Sequence, residues 1–364
     1  MSVEDWGKDE PEDDALDLAD AIALLGKAGD PVPTGFPPLD RNLRGGGLTP
    51  GRILAIIGPP GSGKTTLAAM ILNHMAPTAP GLALFSDEGR DAAAVKLGQQ
   101  LGYKREDLER GAPELHDFMK ERMEETFLLP DPDSPIASAS RALAVLADFA
   151  PSRNGAARLC VLDSAQTIPW TADQEEDPED RMAITRLSYS FRKEIKKRGW
   201  FGVMTAQASY DAFKHKANEK NLNPLAAAAG SRAVIYAADT ALVFGIPNDD
   251  DIGKVWIAKN RLGRKGSFAV KLDRERASLM EVDSSELESQ QDREKEQASA
   301  DKVKRAATKI LSQLAKMPGQ TSTQLAETCH TQKAQVLKAL AALREDGKVT
   351  ATQKPRGSLV YDLT

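Results

Sequence analysis

The sequence predicts an α/β fold, a mostly parallel sheet flanked by helices, followed by a small C-terminal winged helix-turn-helix domain. Three observations carry that prediction. Continuous apolar runs of strand length recur from Ile53 onward and alternate with helix-length segments, the pattern of a parallel sheet covered on both faces. The stretch GPPGSGKTTLAAM, Gly58 to Met70, lies between one such run and a helix, where a phosphate-binding loop belongs. After Val282 the apolar runs stop, and a charged stretch gives way to three helical segments and a hairpin.

Residues 1–32 form an acidic segment, expected to be partly disordered: up to Asp20 it holds nine carboxylates against one lysine. Leu16, Leu18, Ile22, Leu24 and Leu25 predict a short helix before the turn at Pro31 to Pro33. A large α/β domain is expected over residues 33–282. Its strands are placed at Ile53–Ile57, Leu82–Phe85, Leu159–Leu162, Gly202–Thr205, Thr240–Phe244 and Val255–Ala258, and its helices at Thr65–Leu72, Asp91–Leu101 and Ala137–Phe149. Residues 283–300 are polar and charged without a core pattern and are assigned to a linker, helical or not. Residues 301–364 follow as a domain of their own. A helix runs over Lys302–Lys316 to a break at Pro318-Gly319, a second opens at Thr321 with Gln324 at the capping-box position, and a third covers Thr331–Glu345. Val336, Leu337, Leu340 and Leu343 give the third helix an apolar face, and two short strands are placed around Lys354 to Gly357.

Composition bounds the function. A chain of 364 residues with 28% charged side chains is ordinary for a soluble protein. It contains no apolar run of ~18 residues, and its opening is acidic where a secretory signal is basic and then apolar, so a cytoplasmic protein without membrane contact is expected. Cys160 and Cys329 are too few and too far apart for a disulfide framework or a zinc site. The net charge of −5 hides an asymmetry, because residues 301–364 carry eleven Lys/Arg against five Asp/Glu.

The chemistry concentrates at strand ends. In the phosphate loop, Gly58, Pro59, Pro60, Gly61, Ser62 and Gly63 let the backbone curl so that N–H groups point inward, with Lys64, Thr65 and Thr66 opening the helix behind it. Lys64 is the cation for the β/γ oxygens, and the Thr65 hydroxyl is a ligand for Mg2+. Asp163 ends the run RLCVLD; it faces the crevice as a second Mg2+ residue or else caps a helix starting at Ser164. Glu88 in LALFSDEGR is placed to polarise the attacking water, with Asp87 as its competitor.

The order of these motifs resembles the RecA/DnaB/KaiC superfamily of ATPases over about Pro33 to Val282. TGFPPLDRNLRGGGLTPGR resembles the family's lead-in to the phosphate loop, Glu88 matches its catalytic glutamate, and Asp163 its Walker B aspartate. Gln207 in VMTAQAS resembles the glutamine that senses the γ-phosphate and couples it to a DNA-binding loop. AAAAGSRAVIYAADTALVFG and IAKNRLGRKGSFAVKLD look like later segments of DnaB-type proteins. The resemblance implies a RecA-like sheet, ATP hydrolysis with Mg2+, and a homo-oligomer, as hexameric ring or filament, in which Lys259 and Arg261 reach the γ-phosphate of the neighbouring subunit. A solvated strand edge is the other reading of those two residues.

DNA contacts are expected in two places. The segment ASYDAFKHKANEKNLNP after Gln207 mixes Tyr210, Phe213 and His215 with Lys214, Lys216 and Lys220, the composition that binds single strands by stacking and neutralisation. In the C-terminal module, Thr331, Gln332, Lys333 and Gln335 are candidate readers of a duplex, and Lys354 and Arg356 would lie on the wing. Winged helices also bind proteins. The family often contacts nucleic acid through the loop after Asp163's strand, but here WTADQEEDPEDR is acidic and repels phosphates. The expected function is a DnaB- or plasmid-RepA-like helicase in replication or repair. The alternatives are a KaiC-like regulatory ATPase that switches protein partners and a recombination mediator that binds single strands without unwinding.

Overall fold

The computed structural model describes residues 29–111, 127–129, 138–148, 157–171, 181–208, 232–354 and 359–364. The expected N-terminal helix, the lysines of the segment after Gln207, the acidic residues 172–180 and Arg356 lie outside the described residues. The chain divides into two compact units, Met1–Asp283 and Ser284–Thr364.

The first unit is built on β1 (Arg52–Gly58), whose run of apolar residues is explained by burial on both faces. Leu54 and Ile56 point into one core cluster; Ile53, Ala55 and Ile57 point into the other. This is the period of two of an extended chain. Each fully buried Leu or Ile contributes about 1.5–3 kcal/mol. The elements that follow are α1 (Lys64–Met75), β2 (Gly81–Phe85), α2 (Gly89–Gln100), α3 (Arg105–Glu109), β3 (Phe127–Leu128), α4 (Ala139–Asp148), β4 (Leu159–Asp163), α5 (Arg181–Arg198), β5 (Phe201–Gln207), α6 (Arg232–Ala237), β6 (Thr240–Phe244), β7 (Ile252–Asn260), β8 (Gly266–Asp273) and β9 (Ser278–Val282). The nine strands form one sheet in the order β3-β2-β4-β5-β1-β6-β7-β8-β9. Strands β3 to β6 in that row are parallel, and β7, β8 and β9 add an antiparallel edge. Helices α1 and α2 cover one face, and α4, α5 and α6 the other.

Parallel register puts the carboxyl ends of four strands on one edge: Gly58 lies opposite Gln207, and Phe85 opposite Asp163. The lead-in to β1 is a structural clasp. The Thr34 backbone N–H and hydroxyl both donate to Asp40 Oδ1, at 2.9 and 2.7 Å, and Val32 bridges to Leu48.

The second unit holds α7 (Ser284–Lys316), β10 (Gln320–Thr321), α8 (Ser322–Thr328), α9 (Lys333–Glu345), β11 (Val349–Gln353) and β12 (Leu359–Leu363), with the three strands antiparallel in the order β10-β12-β11. The assigned linker and the helix after it are one helix. Thr321 and Gln324 form a reciprocal capping box at the start of α8. The third helix starts two residues later than Thr331, with Gln332 as its N-cap. Leu337 does not belong to the apolar face assigned to it. It is 45% exposed, whereas Val336, Ala339, Leu340 and Leu343 are buried, because about 100° per residue turns position 337 away from the 336/340/343 stripe. The two strands flank the positions expected for them and begin earlier and end later.

Candidate functional site

The phosphate loop joins the carboxyl end of β1 to α1. Two glycines are required by geometry. Gly63, the N-cap of α1, has φ 94°, and a Cβ on Gly58 would lie 2.7 Å from the Phe244 Cβ. The loop is also tied to β5, whose following residue Ala208 donates its N–H to the Gly58 carbonyl at 3.0 Å. Lys64 is buried and donates to the Pro59 carbonyl at 2.9 Å. Burial pushes its ammonium pKa down, opposed by the charges of Asp163 and Asp87.

Asp163 is 1% exposed at the end of β4. Ser164 to Thr167 form a turn and not a helix, so capping is not its task. The Thr205 hydroxyl donates to its Oδ1, while Oδ2 is buried with no hydrogen-bond partner among the described residues. Burial pushes the carboxyl pKa up, opposed by the hydroxyls of Thr205 and Thr65 and by Lys64. A buried carboxylate oxygen without a donor, beside a threonine hydroxyl and facing a lysine, fits a divalent cation: the ion would supply the charge that Oδ2 lacks a partner for.

The two acidic residues after β2 diverge. Asp87 accepts from Ser164 Oγ and from Gln207 Nε2, both at 3.2 Å. Glu88 instead forms an ion pair with Lys96, two turns further along α2. Gln207 ends β5, and its backbone is held by Gln166, which accepts its N–H at 3.2 Å and donates back to its carbonyl at 3.3 Å. The structure thus brings Lys64, Thr65, Asp87, Glu88 and Gln207 into one cleft of about 1270 Å3. Leu272, Arg274 and Ala277 wall it on one side, and Arg105 to Gly111 contribute on another. Gln99 and Gln100 brace the first wall, donating to the carbonyls of Glu275 and Ala277 at 2.7 and 2.8 Å. Lys96, Gln99 and Gln166 are the site residues that motif reasoning missed. Their position two to three turns beyond Glu88, or one turn beyond Asp163, is the signal that points to them.

Lys259 and Arg261 are not in this cleft. They sit where β7 ends beside the first residues of β6, at the opposite ends of the parallel strands from the phosphate loop. The register sets Lys259 level with Ala55 and Arg261 about level with Ile53, so at about 3.3 Å per residue they lie roughly 10 and 16 Å short of Gly58 along the strands. Lys259 Nζ donates to the carbonyls of Ile235 and Tyr236, at 2.7 and 3.1 Å, at the end of α6. Arg261 pairs with Asp239 at 3.3 Å, a buried carboxylate also met by Arg52 at 3.2 Å and Arg192 at 3.6 Å. A merely solvated strand edge does not describe them.

In the second unit, Gln332, Lys333 and Lys354 are exposed, and Thr331 and Gln335 half-buried. Among the described residues no cluster of His, Cys, Asp and Glu that would bind a metal by itself is present, and no helix is long and apolar enough to cross a membrane.

Comparison with known proteins agrees with this geometry. The family model described as ABC transporter matches residues 45–189, the part that holds the phosphate loop and Asp163. Protein RecA of Citrifermentans bemidjiense is 40% identical over 77 residues, 21% of this chain and 22% of that protein. Protein RecA of Campylobacter jejuni is 31% identical over 167 residues, 45% and 41% of the two chains. DNA repair protein RadA of Aquifex aeolicus is 24% identical over 270 residues, covering 74% of this chain. The chain spans between 22% and 46% of the length of these relatives. Among solved structures, a DnaB-like replicative helicase matches with a TM-score of 0.58 at 17% identity, over 74% of this chain and 68% of that one. A second ATPase domain matches with a TM-score of 0.57 at 17% identity, and 97% of it is covered, over 73% of this chain.

Proposed function

From the premise that the chain is a RecA-like P-loop ATPase by fold, we propose that it hydrolyses ATP with Mg2+ as part of an oligomeric motor acting on DNA, a helicase of DnaB or RepA type in replication or repair. The observation that carries this reading is the division of labour between the two ends of the sheet. The phosphate loop, Asp87, Glu88, Asp163 and Gln207 share one edge, and Lys259 and Arg261 occupy the other, out of reach of their own cleft. Where these two cations act on a transferring phosphoryl group, they act on the nucleotide of a neighbouring protomer, which makes hydrolysis depend on assembly.

Within the cleft, Lys64 neutralises the outer phosphate oxygens, and the main-chain N–H groups of the loop bind the rest. Thr65 and Asp163 are the residues that would hold Mg2+, which would supply neutralising positive charge to the phosphates. Glu88 orients the attacking water. Gln207 senses the outer phosphate and transmits its state to the basic segment that follows it, which carries Lys214, Lys216 and Lys220. The exposed Gln332, Lys333 and Lys354, with Arg356, make a C-terminal winged helix the second DNA contact, at a duplex.

The test is the ATPase rate with and without single-stranded DNA at two salt concentrations. We expect stimulation by DNA that fades as salt rises, because counterion release drives the contact. Lys64→Ala should lower the rate on the order of 100-fold or more, in line with loss of a preorganised charge at the transition state. A rate indifferent to DNA would instead support the KaiC-like switch of protein partners, the reading favoured by the acidic residues after Asp163. The matches to RecA and RadA favour the recombination reading, which fails if the protein unwinds a forked duplex directionally.

A further inference from the structure

The cleft contains a second ammonium that the proposed mechanism does not use. Lys96 lines it together with Lys64, Thr65, Asp87 and Glu88. Among the other lining cations, Arg105 pairs with Glu109 and Arg274 with Asp251, while Arg110 is exposed at the rim. Lys64, which the proposed mechanism already uses, donates to the Pro59 carbonyl. Lys96 instead pairs with Glu88, which is also the N-cap of the helix that carries it. Its side chain is 23% exposed, so the pair stands at the cleft surface and not in bulk solvent. Burial pushes the Lys96 ammonium pKa down, opposed by the charge of Asp163 and reinforced by Arg105.

A carboxylate engaged by an ammonium is a poorer proton acceptor than a free one, and an ammonium so engaged has fewer donors for a phosphate. A triphosphate carries several negative charges where Glu88 carries one, so the two compete for Lys96 and the outer phosphate has the stronger field. We propose that Lys96 is a positioning residue that holds Glu88 in the nucleotide-free chain and moves donors to the terminal phosphate of a nucleoside triphosphate, freeing Glu88 for the water. This rests on the reading of the cleft as a nucleotide site with Glu88 as its base. Its consequence is discrimination: the diphosphate has no terminal group to draw Lys96 away, so Glu88 stays clamped after hydrolysis.

The experiment compares binding of ADP and of the β,γ-imido analogue of ATP, both with Mg2+, to the full chain. Lys96→Met should weaken the analogue by about tenfold, the loss of one charge-assisted hydrogen bond, and leave ADP within about twofold. Glu88→Gln should tighten the analogue several-fold by releasing Lys96, and that gain should vanish in the double variant. Lys96→Arg, which keeps the charge and the fold, should preserve the preference for the analogue. Equal weakening of both nucleotides by Lys96→Met, or additive effects of the two substitutions, overturns the proposal while leaving the nucleotide site intact. Failure of the site itself would show differently: Lys64→Ala would then leave both affinities unchanged.

Discussion

Lys259 carries a charge that its surroundings oppose. Burial lowers its pKa to about 8, helped by the neighbouring Arg261 and Arg192 and resisted by Asp239. The folded value lies below the unfolded one of 10.5, so between the two the unfolded chain holds a proton the folded chain has released. Stability therefore rises with pH across that window, while the charge that the proposed contact with a neighbour's phosphate needs falls. We expect the steady-state rate of the assembled protein to decline as pH climbs through about 8. Lys259→Arg should flatten that decline, because a guanidinium stays charged. A pH–rate profile shared by both proteins would assign the titration to another group, such as Lys64. At this scale the motif residues were legible in the sequence: Lys64, Thr65, Asp163 and Gln207 are fixed by strand ends and a loop whose spacing is rigid. The choice between Glu88 and Asp87 was not, because the turn after β2 decides which carboxylate faces Gln207. Lys96 was invisible for a related reason: its role is set by where a long flexible side chain folds back.

Strands buried on both faces were read from their apolar runs, while some elements with one wet face, among them α5 and β9, were not assigned. Helix α5 shows the difficulty. Ile184, Leu187, Phe191 and Ile195 are buried at helical spacing, but the segment between them is crowded with Arg and Lys. Strand β9 alternates weakly, with Met280 exposed and Leu279 buried, so no run announces it. Yet this edge shapes the cleft, since α2 grips the turn between β8 and β9 through Gln99 and Gln100. Gln100 donates to the Thr66 and Ala277 carbonyls, at 3.3 and 2.8 Å, and accepts from Asn73 at 2.8 Å. Replacing Gln100 with Ala leaves those half-buried groups without partners. We expect a loss of about 1–3 kcal/mol, seen as a fall of roughly 2–4 °C in melting temperature per kcal/mol, and weaker nucleotide binding as the wall loosens. A melting curve unchanged within a degree or so would show that the turn holds itself.

For the whole molecule, the placement of complementary parts at opposite ends of one sheet makes a prediction that single protomers cannot satisfy. A pool of Lys64→Ala subunits lacks a working cleft but keeps Lys259 and Arg261. A pool of Arg261→Ala subunits has the reverse defect. Mixing the two should give ATPase activity above the average of the separate pools, because some interfaces pair an intact cleft with an intact cation. A mixture that only averages its parts would mean that hydrolysis does not cross between protomers. The sequence conveyed the order of parts that makes this arrangement, while the distance between them needed the strand register. One feature of the second unit reaches further. Helix α7 runs unbroken from Ser284 to Lys316, and Ala306, Ile310 and Leu314 in its later half are buried in the core of that unit. The earlier half, polar in sequence, has no core pattern with which to start a helix, and starting one is the unfavourable step while lengthening is easy. Nucleation therefore belongs to the C-terminal core, and helical order propagates backward from it toward Ser284. Whatever melts that core unwinds the stretch of chain that joins it to the ATPase unit.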